Sequence, residues 1–339
     1  MKKYFLYSGI LFINFWACSQ KKENTMNDIT EKNIVDKITA QVKRYPKEPF
    51  YYVYIGNSLC IYEFFVNDLP IEKHYEYSQI GTPIYINNGI LKSGRQKITY
   101  RIYPAPKEYN EGKDVFDFET EFNVKVYVND NARDLRIGEE KLILKHEAPT
   151  KIRMAGRDND IEMKEFVGKG QKYYEHTFYF DAEIPYENEG WSNGQDLRKL
   201  DQKQLERAVI DFYLDRRKEI EKKDLDAIAR RVYTPLKEQF IAEYSDKASI
   251  NIAWTEELVY AYKSPTYQLQ PFKDYKMVFY GDGKMVALEH DNPSDARLRG
   301  QSALWGLFID KEGVQRADFN GIKLSLPQGK GLNELKAVR

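Results

Sequence analysis

The chain has 339 residues, enough for roughly two domains, and its 52 Lys plus Arg match 52 Asp plus Glu, so no global charge draws it to nucleic acid or anionic lipid. Hydrophobic residues at 42% and aromatics at 14%, including 26 Tyr, exclude a disordered tail. Two Cys and four His exclude a disulfide scaffold and a cysteine-rich metal cluster.

Lys2 and Lys3 precede an uncharged, largely apolar stretch from Tyr4 to Ala17, the layout of a secretory leader. At ~1.5 Å per residue that stretch reaches only ~21 Å, short of a ~30 Å hydrocarbon core. The leader ends in Phe15-Trp16-Ala17-Cys18-Ser19 and passes at once into the polar Gln20-Lys21-Lys22-Glu23-Asn24. This junction resembles the lipobox of bacterial lipoproteins. Ala17 and Cys18 match its pattern, while Phe15 and Trp16 are bulkier than its usual residues. The resemblance implies that residues 1–17 are removed and that Cys18 is lipidated as the new N-terminus. It implies a bacterial envelope protein held on a membrane by lipid, facing the periplasm or the cell surface. Loss of Lys2 and Lys3 leaves a slight acidic excess. Cys60 then has no disulfide partner and is expected as a small buried hydrophobe.

Residues 18–46 read as a polar tether followed by a short amphipathic helix, with Ile34, Ile38 and Val42 at four-residue spacing and Tyr45-Pro46 at its end. Between 47 and 187 the period changes to two. Phe116 to Val128 and Tyr174 to Ile184 alternate apolar with polar residues, and Phe50–Ile55, Leu59–Val66, Ile84–Leu91, Ile98–Ile102 and Leu142–Lys145 are further strands. Gly56-Asn57-Ser58 reads as a tight turn between the first two. Many strands with no intervening helix predict an antiparallel β-sandwich.

A Gly/Asn-rich loop from Glu187 to Gly194 opens a second domain over 188–339. Asp201 and Gln204 stand at capping-box spacing before Leu205, Val209 and Phe212. Asp224 caps a second helix, and Thr234-Pro235 opens a third. Gly281-Asp282-Gly283 and Asp310-Lys311-Glu312-Gly313 then mark two hairpins. The fold class expected for the chain is therefore α+β and multidomain: a β-sandwich, then helices followed by an antiparallel meander. That order, with Asp211-Phe212-Tyr213 and Lys223-Asp224-Leu225-Asp226-Ala227, resembles the cone-shaped NTF2-like fold over about 195–325. That family holds both enzymes and scaffolds.

Residues that carry chemistry are scarce. Gly56-Asn57-Ser58 lacks the second glycine of a nucleophile elbow, and its neighbours read as strand. His74, His146, His176 and His290 are scattered, so no metal site or cofactor is expected. Asp158-Asn159-Asp160-Ile161-Glu162 spaces three carboxylates as a hard cation would need, but Met163 stands where the EF-hand has glycine, so a solvated acidic loop is expected. Asp282, Glu289 and Tyr280 would face a pocket if the second domain is an open cone. Trp191 in its Gly/Asn loop, Lys92 and Arg95 in the cationic Leu91–Lys97 loop, and Tyr51 and Tyr173 among the tyrosines form the candidate binding surface. These observations favour a non-catalytic lipoprotein that binds an envelope protein partner. A carbohydrate or small-ligand binder is the alternative, a hydrolase with an unrecognised site the third reading, and nucleic acid is not an expected partner.

Overall fold

The computed structural model describes residues 27–132, 139–156, 161–291, 295 and 297–338. Alternation sets which face each strand of the first unit buries. These strands are β1 (Phe50–Ser58), β2 (Cys60–Val66), β3 (Leu69–His74), β4 (Ile84–Tyr85), β5 (Gly94–Pro104), β6 (Glu121–Asn129), β7 (Lys141–Glu147), β8 (Thr150–Ala155), β9 (Ile161–Phe166) and β10 (Tyr174–Ala182). They form two antiparallel sheets, β4-β1-β6-β7 and β10-β5-β2-β3, and a separate β8-β9 hairpin. Val53, Val124 and Val126 of one sheet meet Tyr62, Phe64 and Tyr100 of the other in a shared core. Each such side chain contributes about 1.5–3 kcal/mol through its burial.

Three local expectations change. Gly56, Asn57 and Ser58 are not a turn but the end of β1, opposite Asn123, Phe122 and Glu121. The chain crosses to the other sheet at Leu59, whose φ of 53° makes the bend. Ile84–Leu91 shrinks to the two-residue β4, because the Asn87 side chain takes the Tyr51 backbone N–H at 2.7 Å and donates to the Ala242 carbonyl at 2.9 Å. β6 starts at Glu121, five residues after Phe116, which instead bonds the turn at Gly170 and Gln171. Along one open edge, His146 of β7 stacks on His176 and Phe178 of β10, with ring centroids 4.9 and 4.1 Å apart. Burial, and then the neighbouring His176, push the His146 pKa down to about 4. The fold thus favours the neutral ring, a preference lost as pH falls from 6.5 toward 4.

The second unit opens with helices. Asp201 accepts from the Gln204 N–H at 3.0 Å and starts α2 (Gln202–Glu221), and Asp224 accepts from the Ala227 N–H at 3.0 Å and starts α3 (Leu225–Ala242). No third helix opens at Thr234-Pro235. Pro235 lies inside α3, where Ile228, Tyr233 and Phe240, buried on either side of it, hold the helix together despite the lost backbone bond. Two short helices, α4 (Lys247–Ile252) and α5 (Tyr260–Lys263), flank a π turn. Strands β11 (Gln268–Leu269), β12 (Tyr275–Tyr280), β13 (Met285–His290), β14 (Trp305–Ile309), β15 (Gln315–Phe319), β16 (Lys323–Ser325) and β17 (Lys336–Val338) pair as β11-β14-β15 and β12-β13-β16-β17.

The short helix α1 (Ile34–Thr39) packs on this second unit. Its Ile34 and Ile38 share a core with Leu205, Val209, Ile228, Val286 and Leu324. Over the described residues the architecture is a mixed, β-rich α+β fold with five antiparallel sheets. Cys18 and the acidic Asp158-Asn159-Asp160 lie outside the described residues.

Candidate functional site

The sheet β12-β13-β16-β17 is apolar on both faces. Residues Val286, Leu288 and Leu324 turn toward the helices. The alternate set, Tyr280, Met285, Ala287 and Val338, packs against Phe65, Leu69 and Trp191 in a core of its own between the two units. Gly281 closes the β12-β13 turn with φ 59°, and a Cβ there would lie 2.6 Å from the Trp191 ring. The turn can therefore sit tight on Trp191 only as glycine.

Strand register carries polar groups into the same seam. Lys73 of β3 donates to the Glu289 carboxylate at 2.5 Å, to the Tyr280 hydroxyl at 2.8 Å and to the Gly300 carbonyl at 3.1 Å. Tyr280 in turn donates to Glu289 at 2.8 Å. Burial, the Glu289 charge and that hydrogen bond all push the Tyr280 phenol up, so it stays a neutral donor. Beside this cluster the Arg299 guanidinium lies over the rings of Tyr75 and Tyr103, 4.2 and 4.7 Å from their centroids. Tyr75 donates to Glu63, and Arg101 reaches Glu63 at 3.5 Å and Glu175 at 2.6 Å.

These groups line a cavity of 600 Å³ between the units, with Glu63, Tyr75, Arg101 and Tyr103 on one wall and Lys276, Tyr280, Glu289 and Asp291 on the other. Most of the charges in and beside it are answered: Glu289 by the neighbouring Lys73, Arg101 by Glu63 and Glu175, Lys276 by Asp291 at 2.9 Å. Arg299 has ring partners but no carboxylate within ion-pair distance among the described residues. No protein-family model, curated protein or solved structure matches this chain.

Tyr280 and Glu289, foreseen near strand ends, do meet in the cavity wall, whereas Asp282 is exposed and pairs with Arg198. Trp191, expected at the surface, is 5% exposed in the seam core, and Tyr51 is 4% exposed in the core of the first unit. Lys92, Arg95 and Tyr173 are exposed, with Arg95 stacked on Tyr179 at 4.0 Å. They form no single patch, because β5 separates Arg95 at its start from the Tyr103–Tyr173 contact at its far end. Cys60 is buried, and burial pushes its thiol up to about 12. His290 is 5% exposed and packs on Trp305. Among the described residues no three His, Cys, Asp or Glu converge as metal ligands, and no helix is long and apolar enough to cross a membrane. Sequence reasoning missed Lys73 and Arg299. The alternation over Leu69–His74 and the turn residues Asn67-Asp68, both at positive φ, are the signal that marks β3.

Proposed function

We propose that this chain is a lipid-anchored envelope protein that binds an acidic saccharide in the seam between its two units. What carries the reading is Arg299. A guanidinium held over two tyrosine rings, lining a cavity and lacking a carboxylate within ion-pair distance among the described residues, is prepared to receive one from a ligand. Tyr75, Tyr103 and Tyr280 supply ring faces and hydroxyls, and the paired Glu63, Asp291 and Lys276 supply acceptors and donors already fixed in place for sugar hydroxyls. The volume falls within the ~300–1,000 Å³ of small-ligand sites. In this reading the first unit is a β-sandwich, and the second is an NTF2-like cone that lends the site one wall.

Calorimetric titration with digalacturonate and with its neutral counterpart digalactose tests the site. The acidic sugar is expected to bind at least about tenfold tighter, and Arg299→Ala is expected to remove that margin. Equal binding of the two sugars, or an unchanged margin in the variant, would refute it. A second reading, a module that binds a protein partner, draws on the β8-β9 hairpin, which exposes Ile152, Met154 and Ile161 at 60%, 48% and 53%. A silent sugar titration with a stoichiometric partner recovered from solubilised envelope would favour it. For the anchor, Cys18→Ser is expected to shift the protein from the membrane fraction to the soluble one. Unchanged lipid labelling or an unchanged membrane fraction in the variant would reject the anchor at Cys18.

A further inference from the structure

Beyond the shared wall of Glu289 and Gly300 lie two smaller cavities, of 260 and 370 Å³. They share Pro70, Ile71, Gly321, Ile322 and Lys323, and they sit where β3, α3 and the ends of β16 and β17 come together. The larger is walled by Leu69, Val232, Leu236 and Val338, with Arg216 and Arg231 also in its lining. Lys323 stands opposite Val338 in the β16-β17 ladder while its neighbour Leu324 turns into the helical core, so the Lys323 stem lies on the face toward the first unit.

Other cations along this groove face carboxylates. Lys73 holds Glu289, Arg231 grips Glu219 through both carboxylate oxygens, and the buried Arg216 lies 3.6 Å from Glu219, although its Nε and Nη1 make no hydrogen bond among the described residues. Lys323 has no hydrogen-bonding or ion-pair partner among the described residues. Glu289 attracts it, but that carboxylate already holds Lys73 and Tyr280, and Lys73 repels it. A half-buried ammonium that shares Glu289 with Lys73 and Tyr280, beside apolar side chains, gains a partner of its own from a ligand anion.

We propose that this junction is a second ligand site, taking a small carboxylate with an apolar body, the anion against Lys323 and the body in the 370 Å³ cavity. Burial holds the Lys323 pKa down to about 8, with Glu289 and Lys73 as opposing smaller influences. A bound carboxylate stabilises the ammonium and raises that pKa. Affinity is therefore flat below about 8 and falls as pH rises above it.

The test is calorimetric titration of the full chain with octanoate and with 1-octanol at pH 7 and pH 9.5. At pH 7 octanoate is expected to bind at least about tenfold tighter than the alcohol, with the margin shrinking at pH 9.5 and vanishing in Lys323→Met. Leu236→Trp fills the larger cavity and is expected to weaken both ligands, which keeps the proposal open to refutation if the Lys323 variant does not fold. Arg299→Ala is expected to leave octanoate binding unchanged, so failure of the saccharide reading and failure of this one are separable. Equal binding of acid and alcohol, no binding of either, a margin that survives Lys323→Met, or octanoate binding lost in Arg299→Ala would each overturn it.

Discussion

Trp191→Ala is expected to lower the free energy of unfolding by about 3–5 kcal/mol, the range for large aromatic truncation in a core. The indole is 5% exposed and packs in one cluster with Phe65, Leu69, Tyr280 and Met285. Two contributions add: the apolar area lost from burial, and a cavity that neighbours cannot collapse to fill. Collapse is hindered because Gly281 already touches the ring and its turn is tied to the first unit through a Gly281 N–H to Asp68 carbonyl bond of 3.2 Å. Urea denaturation measures the effect. A loss below about 0.5 kcal/mol, the usual range for a surface substitution, would return Trp191 to the exposed role its sequence context implies.

The second large effect concerns Lys73 and Glu289, whose side chains are 14% and 10% exposed. Removing one partner leaves the other charge buried, so Glu289→Gln is expected to cost about 3–5 kcal/mol. Replacing both, as Lys73→Met with Glu289→Leu, removes both desolvation costs and is expected to recover most of that loss. Recovery is incomplete, because Glu289 also favours the charged form of Lys323 nearby. A double-mutant cycle in urea reads the coupling. Single effects that add within about 0.5 kcal/mol would show that the two groups act independently, contrary to the geometry.

Much of the scaffold was legible because its signals are local. Asp201 and Asp224 cap the helices they were expected to cap, and the Gly281-Asp282-Gly283 turn joins β12 to β13. Pro235 misled because its local meaning, a helix start, yields to packing on both sides of it. The Gly/Asn loop around Trp191 misled for a related reason. Its composition reads as exposed, yet the Asn188 amide donates to the Glu238 carbonyl at 3.0 Å and the Gly190 N–H to the Glu238 carboxylate at 3.0 Å, which draws the loop inward. The site itself was half visible. Alternation shows that Glu289 and Tyr280 share a face, but nothing in a period of two tells which strand of the other unit meets that face. Lys73 is 216 residues from Glu289 along the chain, and Arg299 follows the strands it serves in a segment with no period. Partners at such separations are set by how the units dock, which no window of sequence contains.

A crystal structure of the chain soaked with digalacturonate tests whether the seam holds an acidic ligand on Arg299. The expected result is a uronate carboxylate about 3 Å from the Arg299 guanidinium, with a sugar ring against Tyr75 or Tyr103. A carboxylate bound elsewhere on the protein, or an empty seam at saturating ligand, would contradict it.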